Sequence, residues 1–134
     1  MKYLIIIVLL SACAGAAKAI QDTIAHHYDS SVFYGAGAYW SPESWKLKYK
    51  DYDAGDLRPR FPGSTTILVA FTDAWHLFDN LRTLLLTAAA AMAGVAMARH
   101  ANDRQPWRAW LLYAAACMAP FFVLFKLLYT YILV

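Results

Sequence analysis

Three long runs of apolar residues divide the chain, and polar residues fill the stretches between them. The runs cover about residues 3–19, 81–98 and 107–134. About 20 helical residues cross a bilayer core of about 30 Å, so runs of this length can span it. Because backbone groups in lipid must form hydrogen bonds within their own segment, each run predicts a transmembrane helix.

Two stripes of polar residues extend this helical periodicity beyond the first two apolar runs. The first stripe consists of Lys18, Asp22, His26 and Asp29, spaced 4, 4 and 3 residues apart. The second consists of Thr72, Asp73, His76, Asp79, Asn80 and Thr83. At 3.6 residues per turn, each stripe lies on one face of a helix. The first two helices are therefore predicted to project out of the bilayer.

The predicted fold is an all-α membrane protein with three transmembrane helices in a single membrane domain, residues 1–134. The expected segments are helix 1 at about 3–29, an extramembrane loop at about 30–64, helix 2 at about 65–99 and helix 3 at about 106–133. The loop holds four of the six glycines and three of the five prolines, so it is predicted to be a small, mostly irregular cap. A short helix is expected to start at Ser41-Pro42-Glu43.

Composition supports a membrane protein. Hydrophobic residues make up 60% of the chain and charged residues 16%, whereas soluble domains average about 45–50% and about 25%. The formal net charge of +3 gives no indication of a nucleic-acid partner. Membrane lipid is the first expected partner.

The positions of basic residues bear on orientation. Lys2 and the arginines of the second loop, Arg99, Arg104 and Arg108, are typical of a cytoplasmic side. The long loop carries five basic residues against these four, so the number of basic residues alone does not decide the orientation. Because the N-terminus also resembles an export signal, we expect a multi-pass bacterial inner-membrane protein whose long loop is periplasmic.

The N-terminus is compatible with three kinds of processing. Leu10-Ser11-Ala12-Cys13 matches a lipobox, in which Cys13 would be lipidated after cleavage. Ala17-Lys18-Ala19 matches the small-x-small pattern of a signal-peptidase site. The third alternative is an uncleaved first transmembrane helix. All three remain open at this point.

The two polar stripes are expected at the same height. His26 lies 24 residues from Lys2, about 36 Å along a helix, and His76 lies 23 residues from Arg99, about 35 Å. Three hypotheses follow. The polar groups pair with one another structurally; Asp22, His26, Asp73 and His76 bind a divalent metal such as zinc; or His26 and His76 perform acid–base catalysis.

The long loop interleaves aromatic and basic residues. Beside a bilayer, Trp and Tyr are typical of the interface, and Lys and Arg are typical of headgroup contacts. The candidate lipid-headgroup residues are Lys46, Lys48, Lys50, Arg58 and Arg60. The acidic segment Asp51–Asp56 lacks the ligand order of a calcium loop and is predicted to be a solvated turn.

Two stretches carry a family resemblance: AIQDTIAHHYDSSVF, and SWKLKYKDYDAGDLRPRFPGSTTILVAFTDAWHLF. They resemble Asp-Thr…His-Tyr, Ser-Trp-Lys…Lys-Tyr-Lys and Gly-Ser-Thr-Thr…Thr-Asp-Ala-Trp-His segments of an uncharacterised family of small multi-span membrane proteins from Bacteroidetes-type bacteria. The likeness covers about residues 19–78. It implies an intact first helix and a multi-span membrane protein, and it assigns no residue roles.

The function predicted from these observations is that of a small structural or accessory membrane protein, packing with itself or with a larger membrane assembly. Gly94, among alanines, gives the second helix a smooth face that suits close helix packing. The alternative is a metal-dependent membrane enzyme that acts on a lipid-linked or phosphorylated substrate through the Asp/His cluster. Whether the protein is an enzyme stays open.

Overall fold

The computed structural model describes all 134 residues and contains three long helices. They are α1 (Lys2–His26), α2 (Ala74–Arg99) and α3 (Pro106–Tyr131). Each is long and apolar enough to cross a membrane. The prediction of a mainly helical protein with three helices able to span a membrane is therefore confirmed.

Helix α1 packs against both of the others, which contact each other much less. Its crossing with α3 is a backbone contact, because a Cβ atom at Gly15 would collide with the carbonyl oxygen of Phe121. Small residues permit this kind of close approach, which gives the dispersion contacts that hold membrane helices together. Helix α1 is accordingly the most buried of the three.

The apolar core lies toward the end of the bundle that carries the 100–105 turn. It is formed by one residue of α1 and pairs from α2 and α3: Ile7, Ala93, Ala96, Tyr113 and Ala116. The alanines let the α2 backbone come close to α1, and the larger Ile7 and Tyr113 fill the remaining space.

The segment between α1 and α2 is more ordered than the sequence predicted. Short 3₁₀ helices occupy Tyr28–Ser30, Ala38–Trp40, Pro42–Lys48 and Val69–Phe71. The expected helix at residue 42 is present in 3₁₀ form, and the Ser41 side chain caps it by accepting a hydrogen bond from Glu43 N at 3.2 Å. Strands β1 (Tyr49–Asp51) and β2 (Asp56–Pro59) form an antiparallel hairpin, which was not predicted.

The helix boundaries differ from those expected at the loop end. Helix α2 begins at Ala74, whereas the apolar periodicity placed its start at about 65. Asp73 has an extended backbone (φ −159°, ψ 161°) and uses its side chain as the N-cap, so the helix cannot continue backwards through it. Helix α1 ends at His26, before the expected 29, and a separate 3₁₀ turn follows.

Candidate functional site

The first turn of α2 holds a buried aspartate that orients a histidine. Asp73 Oδ1 accepts a hydrogen bond from His76 N at 2.9 Å. Asp73 Oδ2 lies 2.7 Å from His76 Nδ1 and accepts a second hydrogen bond, of 2.8 Å, from Thr72 Oγ1. The Asp73 side chain is fully buried. Its charge is therefore compensated entirely by donors from its own neighbourhood.

The contact between Asp73 and the His76 ring determines which ring nitrogen carries the proton of the neutral imidazole. An ionised carboxylate only accepts hydrogen bonds, so the proton of the neutral ring resides on Nδ1 of His76 and leaves Nε2 as an acceptor. The ring also packs edge-on against Trp75, with ring centroids 5.1 Å apart. An aspartate that orients a histidine in this way is an arrangement that can move protons.

His76 lines a pocket of about 390 Å³ at the junction of three segments. These are the last turn of α1, the 3₁₀ helix Pro42–Lys48 and the first turn of α2. The lining residues are Ile24, Ala25, Pro42, Ser44, Trp45, Lys48, Trp75 and His76. The pocket therefore combines an aromatic and aliphatic wall with three polar side chains.

The two lysines of the 3₁₀ helix have different partners. Lys46 Nζ forms salt bridges with Glu43 at 2.7 Å and Asp53 at 3.5 Å, and the hydrogen bond that Lys46 donates to Glu43 raises the pKa of Lys46. Lys48 Nζ instead lies 5.3 Å from the centroid of Tyr49 and 6.0 Å from that of Trp45, with no carboxylate in salt-bridge range. Lys48 thus brings an unpaired positive charge to the pocket.

The charge of Asp73 also affects a tyrosine in the loop that packs over it. Partial burial raises the pKa of Tyr39, and the negative charge of Asp73 raises it further. Phe33 stacks on Trp40 (ring centroids 4.8 Å apart), and Trp40 makes a tilted contact with Phe78 of α2 (6.0 Å), which holds this part of the loop against the helix. The surroundings of the Asp73–His76 pair are therefore an ordered aromatic layer.

The four residues expected to bind metal are not brought together as one cluster. No group of three or more His, Cys, Asp or Glu side chains is arranged to hold a metal ion. Asp22 pairs with Lys18 of its own helix, and His26 is exposed at the end of α1. Only Asp73 and His76 form a pair, because the aspartate is drawn into capping α2.

The polar contact between α1 and α2 is made by a residue that the charge pattern did not single out. Gln21 Nε2 donates to Asp79 Oδ1 at 3.1 Å, and Arg82 Nη2 donates to the same oxygen at 2.7 Å. Gln21 lies on the buried face of α1, with Ala17 and Ile24 at helical spacing. An amide within an otherwise apolar face was the signal that could have identified it.

The five basic residues proposed for lipid headgroups have separate environments. Arg58 makes a two-pronged contact with Asp56, at 2.8 and 2.7 Å, which lowers the pKa of Asp56 to about 2. Lys50 and Arg60 border a different recess, on the hairpin. Of the five, only Lys48 lines the His76 pocket.

Cys13 is exposed on the side of α1, and Cys117 Sγ lies 3.9 Å from the Ala89 carbonyl oxygen. Lipidation of Cys13 stays a prediction.

Comparison with known proteins gives no further assignment. No protein-family model matches the chain, and neither a curated protein nor a solved structure shows significant similarity to it.

Proposed function

We propose that this chain is a small structural or accessory protein of the bacterial inner membrane, and that it packs through α2 with itself or with a larger membrane assembly. We also propose that it belongs to the family that its loop sequence resembles. The single observation that carries the packing role is the open, small-residue face of α2.

Small residues occupy two sides of α2. Ala89, Ala93 and Ala96 are buried inside the molecule. The other side stays open and carries Thr87, Ala90, Ala91, Gly94 and Ala98. A Cβ atom at Gly94 would meet no atom within 4 Å. Faces of this kind let a second helix approach closely in lipid, so the open side is suited to a neighbouring helix.

The proposed orientation places the long loop in the periplasm. The guanidinium of Arg99 lies 4.6 Å from the centroid of Tyr3, so the start of α1 and the end of α2 lie at the same membrane surface. Lys2, Arg104 and Arg108 flank the same helix ends. This concentration at one surface supports a cytoplasmic location for it.

The alternative of a metal-dependent enzyme has less support. A zinc site needs three or four converging ligands, and Asp22 and His26 do not join Asp73 and His76 in such a group.

The substitution Gly94→Leu tests the packing role. Because a Cβ atom added at Gly94 meets no atom within 4 Å, the fold is expected to persist while a neighbouring helix is pushed away. We expect Gly94→Leu to reduce the subunit number found by single-molecule photobleaching in native membranes, and to reduce co-purification of any partner.

The matched control is Ala119→Leu, which adds similar bulk at an exposed position of α3. It should leave association unchanged. A wild-type chain that is monomeric and has no co-purifying neighbour, or equal effects of the two substitutions, would contradict the packing role.

A further inference from the structure

We propose that the pocket between α1, the 3₁₀ helix Pro42–Lys48 and the start of α2 binds a phosphate group, and that Lys48, Ser44 and His76 are its ligands. This inference is independent of the packing role proposed for the open face of α2, because the pocket shares no residue with that face.

The polar groups that reach the pocket are suited to an anion. Lys48 supplies an ammonium group that pairs with no carboxylate. Ser44 lines the pocket, and its hydroxyl, which pairs with no group of the protein, is accessible to solvent. It is therefore free to donate to a ligand oxygen.

The nearby carboxylate of Asp73 makes no direct contact with an anion inside the pocket. Asp73 is fully buried and is absent from the pocket wall. Its two oxygens are occupied by Thr72 Oγ1, by His76 N and by His76 Nδ1. A ligand would therefore meet the imidazole that Asp73 orients, and not the aspartate itself.

His76 can act as a donor once an anion is present. Its Nδ1 already donates to Asp73, and a negative charge close to the ring favours protonation at Nε2 as well. The imidazolium then bridges the buried carboxylate and the bound phosphate. Nε2, the Lys48 ammonium and the Ser44 hydroxyl together offer three donors, and a phosphate carries the oxygens to accept from all three.

The position of the pocket matches the layer where lipid phosphates lie. Ala25, in its wall, is 23 residues from Lys2, which corresponds to about 35 Å along α1. The hydrocarbon core is about 30 Å thick, and about 40–45 Å with its headgroup layers. The side chains of Trp45, Trp75 and Pro42 provide an apolar wall for the glycerol or acyl part of a lipid.

The test is a titration of the full-length protein, labelled with ¹⁵N at histidine, in a phosphate-free maltoside detergent at about pH 6.5. Three probes are compared: phosphatidylglycerol, glycerol 3-phosphate and inorganic phosphate. We expect a saturable change at His76 Nε2 toward the protonated form. His100 is an internal reference, because it forms a similar pair with Asp103 but lines no pocket with a free lysine.

Two variants and a control connect the signal to the pocket. Lys48→Gln should weaken binding at least about tenfold, since it removes a charge-assisted contact, and Ser44→Ala about threefold. Lys50→Gln removes the same charge from the neighbouring hairpin, outside the pocket, and should leave the affinity within about twofold.

Each outcome has a defined meaning. Saturation by phosphatidylglycerol alone supports a lipid headgroup as the source, and saturation by the soluble phosphates as well supports a general phosphate site. The proposal is overturned if no probe saturates His76, if His100 responds equally, or if Lys48→Gln and Lys50→Gln have equal effects. The variant Gly94→Leu should bind phosphate normally, which separates this test from that of the packing role.

Discussion

An Asp–His pair with a three-residue spacing is found at each end of α2, and the two pairs differ in their surroundings. At the loop end, Asp73 Oδ2 lies 2.7 Å from His76 Nδ1, and at the other end Asp103 Oδ2 lies 2.8 Å from His100 Nδ1. The Asp73 side chain is 0% exposed, and that of Asp103 is 57% exposed.

The difference comes from what else each aspartate does. Asp73 caps α2, accepts from Thr72 and lies beneath an aromatic layer, whereas Asp103 lies in the exposed turn that follows α2. The three-residue spacing is therefore enough to form an Asp–His pair. Burial and the N-cap role of Asp73 in addition hold the Asp73–His76 pair in a fixed arrangement. Buried polar contacts should accordingly contribute more to stability than exposed ones.

Removing the two carboxylates should have very different consequences for stability. Asp73→Ala deletes an N-cap and leaves the backbone N–H and the Nδ1–H of His76 without their acceptor, so the free energy of unfolding should fall by about 2–4 kcal/mol. Asp103→Ala should change it by less than about 0.5 kcal/mol, as expected for an exposed pair. Reversible unfolding in detergent micelles measures the free energy of unfolding of both variants. Equal losses would contradict the proposed difference between the buried Asp73 pair and the exposed Asp103 pair.

The loop end of α2 is also connected to α1 by a hydrogen bond between side chains. Gln21→Leu removes the contact with Asp79, so the bundle should lose about 0.5–1 kcal/mol, the usual size of such contacts between membrane helices. The control Thr87→Ala removes a hydroxyl that bonds only within α2, to Thr83, and should cost less. Reversible unfolding in detergent micelles measures both losses of stability. A larger loss for Thr87→Ala than for Gln21→Leu would contradict the role of the Gln21–Asp79 hydrogen bond in holding α1 and α2 together.

The smallest effect is expected in the hairpin, where Arg58 lowers the pKa of Asp56 from 3.8 to about 2. Because the folded pKa lies below the unfolded one, this contribution to stability is fully present above about pH 4 and is lost as the pH falls toward 2. The carboxyl resonance of Asp56, followed by NMR, should titrate near 2 and return toward 3.8 in Arg58→Gln. An unchanged midpoint in that variant would show that the ion pair is not the cause.

Most of the fold could be predicted from the sequence because the membrane restricts the options. Apolar runs of sufficient length must become helices, and the three spans follow. The start of α2 could not be read in this way. Ile67, Leu68 and Phe71 continue the helical periodicity, yet the N-cap at Asp73 ends the helix there.

The candidate site was only half predictable. The Asp73–His76 pair is local, so its spacing indicated it. Asp22 has an equally local partner in Lys18, and this pairing within α1 competes with any contact across helices. Ser44 and Lys48 reach the pocket only because the loop folds back over α2, and neither spacing nor composition encodes that long-range contact.

The most direct test of the account is the exchange with water of the Nδ1 protons of His76 and His100, measured by ¹H–¹⁵N NMR of the ligand-free protein. A buried, carboxylate-bound Nδ1–H at His76 should be visible and protected, while that of His100 should exchange too fast to observe. Equally fast exchange at both histidines would contradict the claim that Asp73 holds His76 in a fixed, shielded orientation.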